Sequence, residues 1–376
     1  MTPLGVAGPP AEDPVYLDHA AMTPVRPEAI AAMAEALRVI GNPSSPHGPG
    51  RHARQLVERS RRALGDRLGV GPAQVIFTSG GTEANNLALA GLPGPRLVSA
   101  VEHASVLDAV QDTWRAPVDA DGVLDLEALA SLAQARQPRL VSVMLANNET
   151  GVLQPVREAA SLAHAQGALL HCDAVQAFGK VPVTLEELGA DLISISAHKL
   201  GGPPGVGALI VRPGIEPQPR QRGGSQEFGR RAGTLNLPAI VGFAAALDLA
   251  TDWQAIARLR DALERQVLEL RPDVLCLSSG VLRLPNLSCL ITPGLAGELQ
   301  LMALDLAGVA VSVGAACSSG KVGPSTVLAA MGLPTALARC AVRVSLGWTS
   351  KPAHVDRFVE AWSAQVGRSA AGRMVG

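Results

Sequence analysis

The sequence predicts an α/β protein in which a mostly parallel sheet, covered by helices on both faces, is joined to a smaller second domain. Three observations lead there. Apolar runs of strand length alternate with helix-like stretches between about residues 55 and 211. The runs are apolar throughout rather than at every second position, as strands buried on both faces are. Polar residues gather just after the runs end, where ligands bind in open α/β sheets. The pattern changes after about residue 242, and the chain divides into a large domain over 16–249 and a smaller one over 250–376 that takes in residues 1–15.

Residues 55–68 carry charge on one helical face and Leu or Val on the other. A short strand over 74–78 ends in Ser79-Gly80-Gly81, with a helix starting at Thr82 or Glu83. Residues 97–100 read as a strand followed by Glu102-His103. An apolar strand over 139–145 ends in Asn147-Asn148-Glu149, and a helix over 156–166 leads to a strand over 168–171 that ends at Asp173. Another strand, 191–196, ends at His198-Lys199, and 207–211 follows. One long helix is expected over 243–270, and a last one over 353–366.

Composition narrows the function classes. Apolar residues make up 47% of the 376 and charged residues 17%, which excludes a disordered chain, and aromatics at 3% require an aliphatic core. Basic and acidic residues nearly cancel, 32 against 33, which argues against a nucleic-acid or polyanion surface. The 39 glycines and 28 prolines have no period, so collagen-like and linker readings fail. No apolar run is long enough to span a membrane, and residues 1–14 lack the basic and apolar regions of a secretory signal. Cys172, Cys276, Cys289, Cys317 and Cys340 are scattered, odd in number and without a CxxC pair. No disulfide framework and no metal site are expected, and a reducing, cytoplasmic setting fits.

The chemistry centres on Lys199, in Ser196-Ala197-His198-Lys199-Leu200-Gly201-Gly202-Pro203. A lysine between a buried strand and a Gly/Pro loop is costly to desolvate; it is either a Schiff-base lysine or one that snorkels from a strand end. Asp173 closes an apolar strand and needs a partner: a protonated pyridine nitrogen would serve, and so would a helix N-cap or an ion pair. The turn Thr78-Ser79-Gly80-Gly81-Thr82 can cradle a phosphate on backbone N–H groups at a helix start, or simply cap that helix; it is not a Walker A loop. Cys317 lies in the small-residue loop Gly314-Ala315-Ala316-Cys317-Ser318-Ser319-Gly320-Lys321, which offers access for a nucleophilic thiol. The other four cysteines read as packing residues.

Taken with Tyr16-Leu17-Asp18-His19-Ala20-Ala21, Gly41-Asn42-Pro43-Ser44-Ser45-Pro46-His47, Thr82-Glu83-Ala84-Asn85-Asn86, Asn147-Asn148-Glu149-Thr150-Gly151, Arg231-Ala232-Gly233-Thr234 and Arg343-Val344-Ser345-Leu346-Gly347, these segments give the chain a family likeness. It resembles the cysteine desulfurases of the NifS/IscS-like group, within the aminotransferase class V family of fold-type I pyridoxal 5'-phosphate (PLP) enzymes. The resemblance runs from about residue 16 to 348. It implies a large PLP-binding domain with a seven-stranded-type sheet, and a small α+β domain carrying the Cys317 loop.

The resemblance also implies roles. Lys199 would bond the cofactor aldehyde, Asp173 pair with the pyridinium nitrogen, and Gln176 meet the ring hydroxyl. His103 would stack on the ring and shuttle protons. Gly81, Thr82, Ser196 and His198 would hold the phosphate, and Thr234 would reach the phosphate of a partner subunit, which implies a homodimer. Asn148 and Arg343 would take the substrate carboxylate, and Cys317 would attack the sulfur of L-cysteine. Alanine and an enzyme persulfide would result, the sulfur passing to an acceptor protein or thiol for iron–sulfur cluster or thio-compound biosynthesis.

The pattern departs from the family at His19, where relatives usually carry Asn, and at Met22, where they carry Thr. Two other functions compete. A different class V aminotransferase or lyase, including a selenocysteine lyase, would share Lys199, Asp173 and the phosphate cradle. A non-catalytic sulfur-assembly scaffold would be expected to lack one of Lys199, Asp173, His103, Cys317 and Arg343, and all five are present.

Overall fold

The computed structural model describes residues 14–111, 113–247, 249–313 and 325–373, with side chains to residue 366. Its first strand, β1 (Val15–Tyr16), lies away from the main sheet. That sheet contains β2 (Val75–Thr78), β3 (Arg96–Ser99), β4 (Thr113–Ala116), β5 (Leu140–Ser142), β6 (Leu169–Asp173), β7 (Leu192–Ser196) and β8 (Gly207–Val211), in the spatial order β2-β8-β7-β6-β5-β3-β4. Pairings from β7 through β6, β5 and β3 to β4 are parallel; β8 runs against both of its neighbours.

Central strands are buried from end to end, which is why β8 (GALIV) is apolar throughout, while the two serines of β7 (LISIS) are satisfied by His171 and His198. The extended stretch after β5 is longer than the strand itself: Val143 and Leu145 still donate to the carbonyls of His171 and Asp173, at 3.0 and 2.9 Å. Inside the sheet a fully buried imidazole ties three strands together. His171 Nδ1 lies 2.8 Å from Ser142 Oγ on β5 and its Nε2 2.9 Å from Ser194 Oγ on β7. Burial pushes that imidazole down to about 3, so it is neutral. Asp173, two residues on, points to the same side of the strand, while Cys172 turns into the main apolar core.

A second core forms around Leu17, Val309, Val342, Val344, Phe358 and Trp362. It rests on β9 (Leu275–Cys276), β10 (Leu287–Ile291), β11 (Val309–Ala310) and β12 (Ala341–Ser345). β12, β10 and β9 form an antiparallel sheet, and β1 pairs in parallel with β11. The sequence-drawn division between residues 15 and 16 therefore falls inside β1, where Val15 meets Val309 and Tyr16 meets Ala310.

The single helix expected over 243–270 is two helices, Leu237–Leu247 and Trp253–Leu270. The second starts afresh because the Asp252 side chain accepts the Ala255 N–H at 2.9 Å, an N-cap that ends one helix and opens the next. Among the described residues, no helix is long and apolar enough to cross a membrane. Cys172, Cys276, Cys289 and Cys340 are free thiols. Burial pushes Cys172 well up, Cys289 up to about 12 and Cys276 up to about 11.

Candidate active site

β6 and β7 end side by side, with Asp173 in register with Ser194. The Asp173 carboxylate is buried. Its Oδ2 accepts Asn85 Nδ2 at 2.7 Å and its Oδ1 the Val175 N–H at 2.9 Å. Both donors are neutral, so a buried negative charge faces the cavity beside it without a cation on either hydrogen bond. Asn85 also donates to Ser105 Oγ (2.8 Å), and its Oδ1 is buried without a partner among the described residues. Ser105 in turn touches His103: the Ser105 N–H donates to His103 Nδ1 at 3.1 Å, with the hydroxyl 2.8 Å from the same nitrogen. An Nδ1 that accepts leaves the ring proton on Nε2. A chain of hydrogen bonds thus runs from His103 through Ser105 and Asn85 to Asp173.

After β7 the backbone makes a 3₁₀ turn, Ala197–Lys199. Lys199 Nζ donates to the carbonyls of Ala20 and Ala21, at 2.5 and 2.7 Å. The Ala20 carbonyl also accepts Gln176 Nε2 at 2.7 Å. His198 Nδ1 is 2.8 Å from Ser196 Oγ; burial first, then the charges of Lys199 and Lys180, push this imidazole down to about 4. A second lysine, Lys180, lies fully behind the site with its Nζ donating to the Gln176 carbonyl at 2.5 Å, and burial together with the Lys199 charge pushes it down to about 7.

Facing these strand ends is the start of the helix Gly81–Gly91. Only glycine fits at its first position: a Cβ on Gly81 would stand 2.6 Å from Val175 Cγ2. Glu83, one turn in, accepts the Ser79 N–H at 2.7 Å and pairs with Arg231 at 2.8 Å. The positive end of this helix is left to whatever fills the cavity.

Behind the lining residue Asn148, the cavity backs onto β12 of the second core's sheet. Arg343, on β12, is almost fully buried, with Nη2 donating to Asp18 Oδ1 and Nη1 to the Asn148 carbonyl, both at 2.8 Å, and Nε without a partner among the described residues. Nearby, Glu102 Oε1 accepts the Met144 N–H at 2.6 Å while its Oε2 has no partner among the described residues; burial, then the Asp173 charge, raises this carboxyl well above its ordinary value. Glu149 accepts Ser325 Oγ at 2.6 Å and is pushed up to about 7 by burial, against the charges of Arg343 and His103.

Part of this set lines a cavity of about 340 Å³. Gly81, Thr82, His103 and Asn148 line it, and so do Asp173, Gln176, His198 and Lys199. Ser196 is buried beneath, bonded to His198. Arg343 stands behind Asn148, and Thr234 is exposed on a loop outside the cavity. Cys317 lies outside the described residues. Asn85, Ser105, Glu102 and Lys180 were not singled out from the sequence. The first three lie within three residues of Thr82 or His103, already marked, and the last is a lysine four residues after Gln176 in a stretch of turns, where no period places it.

The cavity fits a phosphorylated pyridine aldehyde at three points. Asp173 offers a buried anion to a protonated ring nitrogen, Lys199 an amine to the aldehyde, and the helix start at Gly81-Thr82 a positive end to the phosphate.

Residues 15–358 match the family model described as aminotransferase class-V. The chain is 46% identical, over 92% of its length and 94% of the relative's, to a cysteine desulfurase of Cereibacter sphaeroides. It is 41% identical, over 94% of its length and 96% of the relative's, to an IscS-like cysteine desulfurase of Mycobacterium tuberculosis. Among solved structures, a NifS-like protein from Rickettsia africae superposes with a TM-score of 0.87 at 33% identity, covering 93% of this chain and 99% of that one.

Proposed function

The chain belongs to the aminotransferase class-V family, and from that premise we propose that it is a PLP-dependent cysteine desulfurase, turning L-cysteine into L-alanine and leaving the sulfur on Cys317 as a persulfide. One observation carries the reading: the Lys199 amine and the Asp173 carboxylate, from neighbouring strand ends, open into one cavity opposite a helix N-terminus. When bound, PLP supplies an aldehyde that captures amines and a protonated ring that draws off the electron pair left when a Cα proton is removed.

The chain's own residues do the rest. Lys199 holds the cofactor and accepts the Cα proton of the substrate. Asp173, held on two neutral donors, keeps the ring nitrogen protonated, with Asn85 and Ser105 linking it to His103. His103 presents its Nε2 proton to the reacting groups. Thr82, Ser196 and His198 secure the phosphate beside Gly81, and Gln176 borders the ring. Arg343, its two terminal nitrogens fixed by Asp18 and the Asn148 carbonyl, is the guanidinium we assign with Asn148 to the substrate carboxylate.

Cys317 as thiolate attacks the substrate sulfur; the C–S bond breaks, Cβ gains a proton, and the sulfur stays on the enzyme. An acceptor thiol or protein then takes it for iron–sulfur cluster or thio-compound synthesis. The exposed Thr234 suits a homodimer in which it reaches the partner's phosphate. We place the protein in the cytoplasm, and divide it into a large domain that runs to about residue 249 and a small one over 250–376 joined by the N-terminal segment through β1.

Mass spectrometry of the intact protein after incubation with L-cysteine tests the reading. One added sulfur on Cys317, absent from Cys317→Ser, is expected. Alanine formation by Cys317→Ser at the wild-type rate would remove Cys317 from the reaction, and a colourless protein that takes up no PLP would end the proposal.

A further inference from the structure

Residues 18–23 run between the two cores like a strap, and His19 stands at its centre. Leu17, just before it, belongs to the second core. Thr23, at its far end, donates its N–H to the carbonyl of His198, the residue beside Lys199, at 3.0 Å. On the second-core side the strap is pinned to β12: His19 N–H donates to the Ser345 carbonyl at 3.2 Å and Ala20 N–H to Ser345 Oγ at 2.8 Å. On the other side, the carbonyls of Ala20 and Ala21 receive Lys199 Nζ.

The imidazole is 2% exposed and bridges the two sides. Its Nδ1 is 2.6 Å from Thr23 Oγ1 and its Nε2 3.3 Å from Thr349 Oγ1. Gly347 lies flat against the ring, where any Cβ would overlap it. The Tyr16 ring meets it edge-on with centroids 5.2 Å apart, and the Tyr16 hydroxyl donates to the Met22 carbonyl at 2.7 Å. Burial, with the charges of Lys180 and His354, pushes His19 down to about 4, so the bridge is made by a neutral ring that donates through one nitrogen and accepts through the other. Among the described residues, no hydrogen bond takes His19 into the cavity, and the ring is absent from the cavity's lining.

We propose that His19 is a positioning residue for Lys199: by tying Thr23 to Thr349 it holds the strap so that the Ala20 and Ala21 carbonyls cage the lysine amine. This rests on Lys199 being the cofactor-bonding lysine. The cage has a chemical consequence. Two carbonyl acceptors favour the charged amine, which is unreactive, so a slack strap releases a more reactive Lys199 that is less well aimed.

The test uses cofactor-free protein and an amine-directed reagent, trinitrobenzenesulfonate, with labelling of the Lys199 peptide followed by mass spectrometry. His19→Ala should label about tenfold faster at neutral pH, the worth of one lost charge-assisted hydrogen bond. Thr349→Val, which removes only the Nε2 contact and leaves the core filled, should show the same change in smaller measure, and His19→Asn should restore part of the cage. In the loaded enzyme kcat should fall about tenfold with KM within about twofold. Val355→Ala, a truncation in the second core away from the strap, should lower the unfolding temperature and leave Lys199 labelling as it was. If His19→Ala and Thr349→Val both lower the unfolding temperature and label Lys199 at the wild-type rate, His19 is a structural histidine only. Because labelling is read without cofactor, that result leaves the desulfurase reading standing; failure of that reading would show in Lys199→Ala turnover.

Discussion

The floor and the far wall of the cavity are built by different means. Floor groups come from one sheet and the helix beside it: Asp173, Asn85, Ser105 and His103 form one hydrogen-bonded chain within about ninety residues of sequence. The wall is assembled over long range. Asp18 and Arg343, 325 residues apart, meet behind it, and the carbonyls that hold Lys199 come from the strap between the cores. The floor therefore exists once the main sheet has formed, whereas the wall requires the second core to have packed and β1 to have paired with β11. Damage to the floor should strike chemistry and spare substrate affinity. Damage to the wall should strike affinity and stability together.

The largest expected effect is at the joint between the two. Lys199→Ala should reduce alanine formation by about 10⁴-fold, the upper range for a group that moves a proton, with little change in the thermal midpoint. Next, Asp173→Asn should lower turnover by about 10²–10³-fold at unchanged KM, because the floor loses the charge that holds the ring proton. Asn85→Ala, which removes one of that carboxylate's two donors, should cost about tenfold in turnover. In the wall, Asp18→Ala leaves a buried guanidinium short of its partner. KM should rise about tenfold, and chemical denaturation should show a loss of about 2–3 kcal/mol. A KM rise in Asp173→Asn with unchanged turnover would erase the distinction between floor and wall.

The smallest effect on turnover belongs to Lys180, and it appears in stability against pH. The native amine lets go of its proton near 7, whereas the unfolded one keeps it to about 10.4. Between those values the unfolded chain binds the extra proton, so this group makes stability rise with pH and withdraws that gain as pH falls toward 7. Lys180→Met should flatten that rise in unfolding experiments between pH 7 and 10, and raise the thermal midpoint at pH 7.

Much of the floor was legible because its residues are odd in their settings. Asp173 and Lys199 put charge at the ends of apolar runs, and Gly80-Gly81 breaks the chain where a strand hands over to a helix. Asn85 and Ser105 gave no such sign: a polar residue near a helix start is ordinary, and only the packing of that helix on β6 reveals that Asn85 reaches Asp173. The wall was legible only as separate motifs, since nothing local in Asp18 announces Arg343. The helix break near Asp252 was masked by apolar residues at helical spacing on both sides, and a two-residue strand such as β1 has no period to read.

The buried thiols have a further consequence. A protein that carries sulfur in its most transferable form must keep it from wandering, because any ionised thiol within reach is a rival destination. Cys172, Cys276 and Cys289 hold their protons far above neutral pH, two of them sealed inside packed cores. The cargo thus meets no competing acceptor among those three.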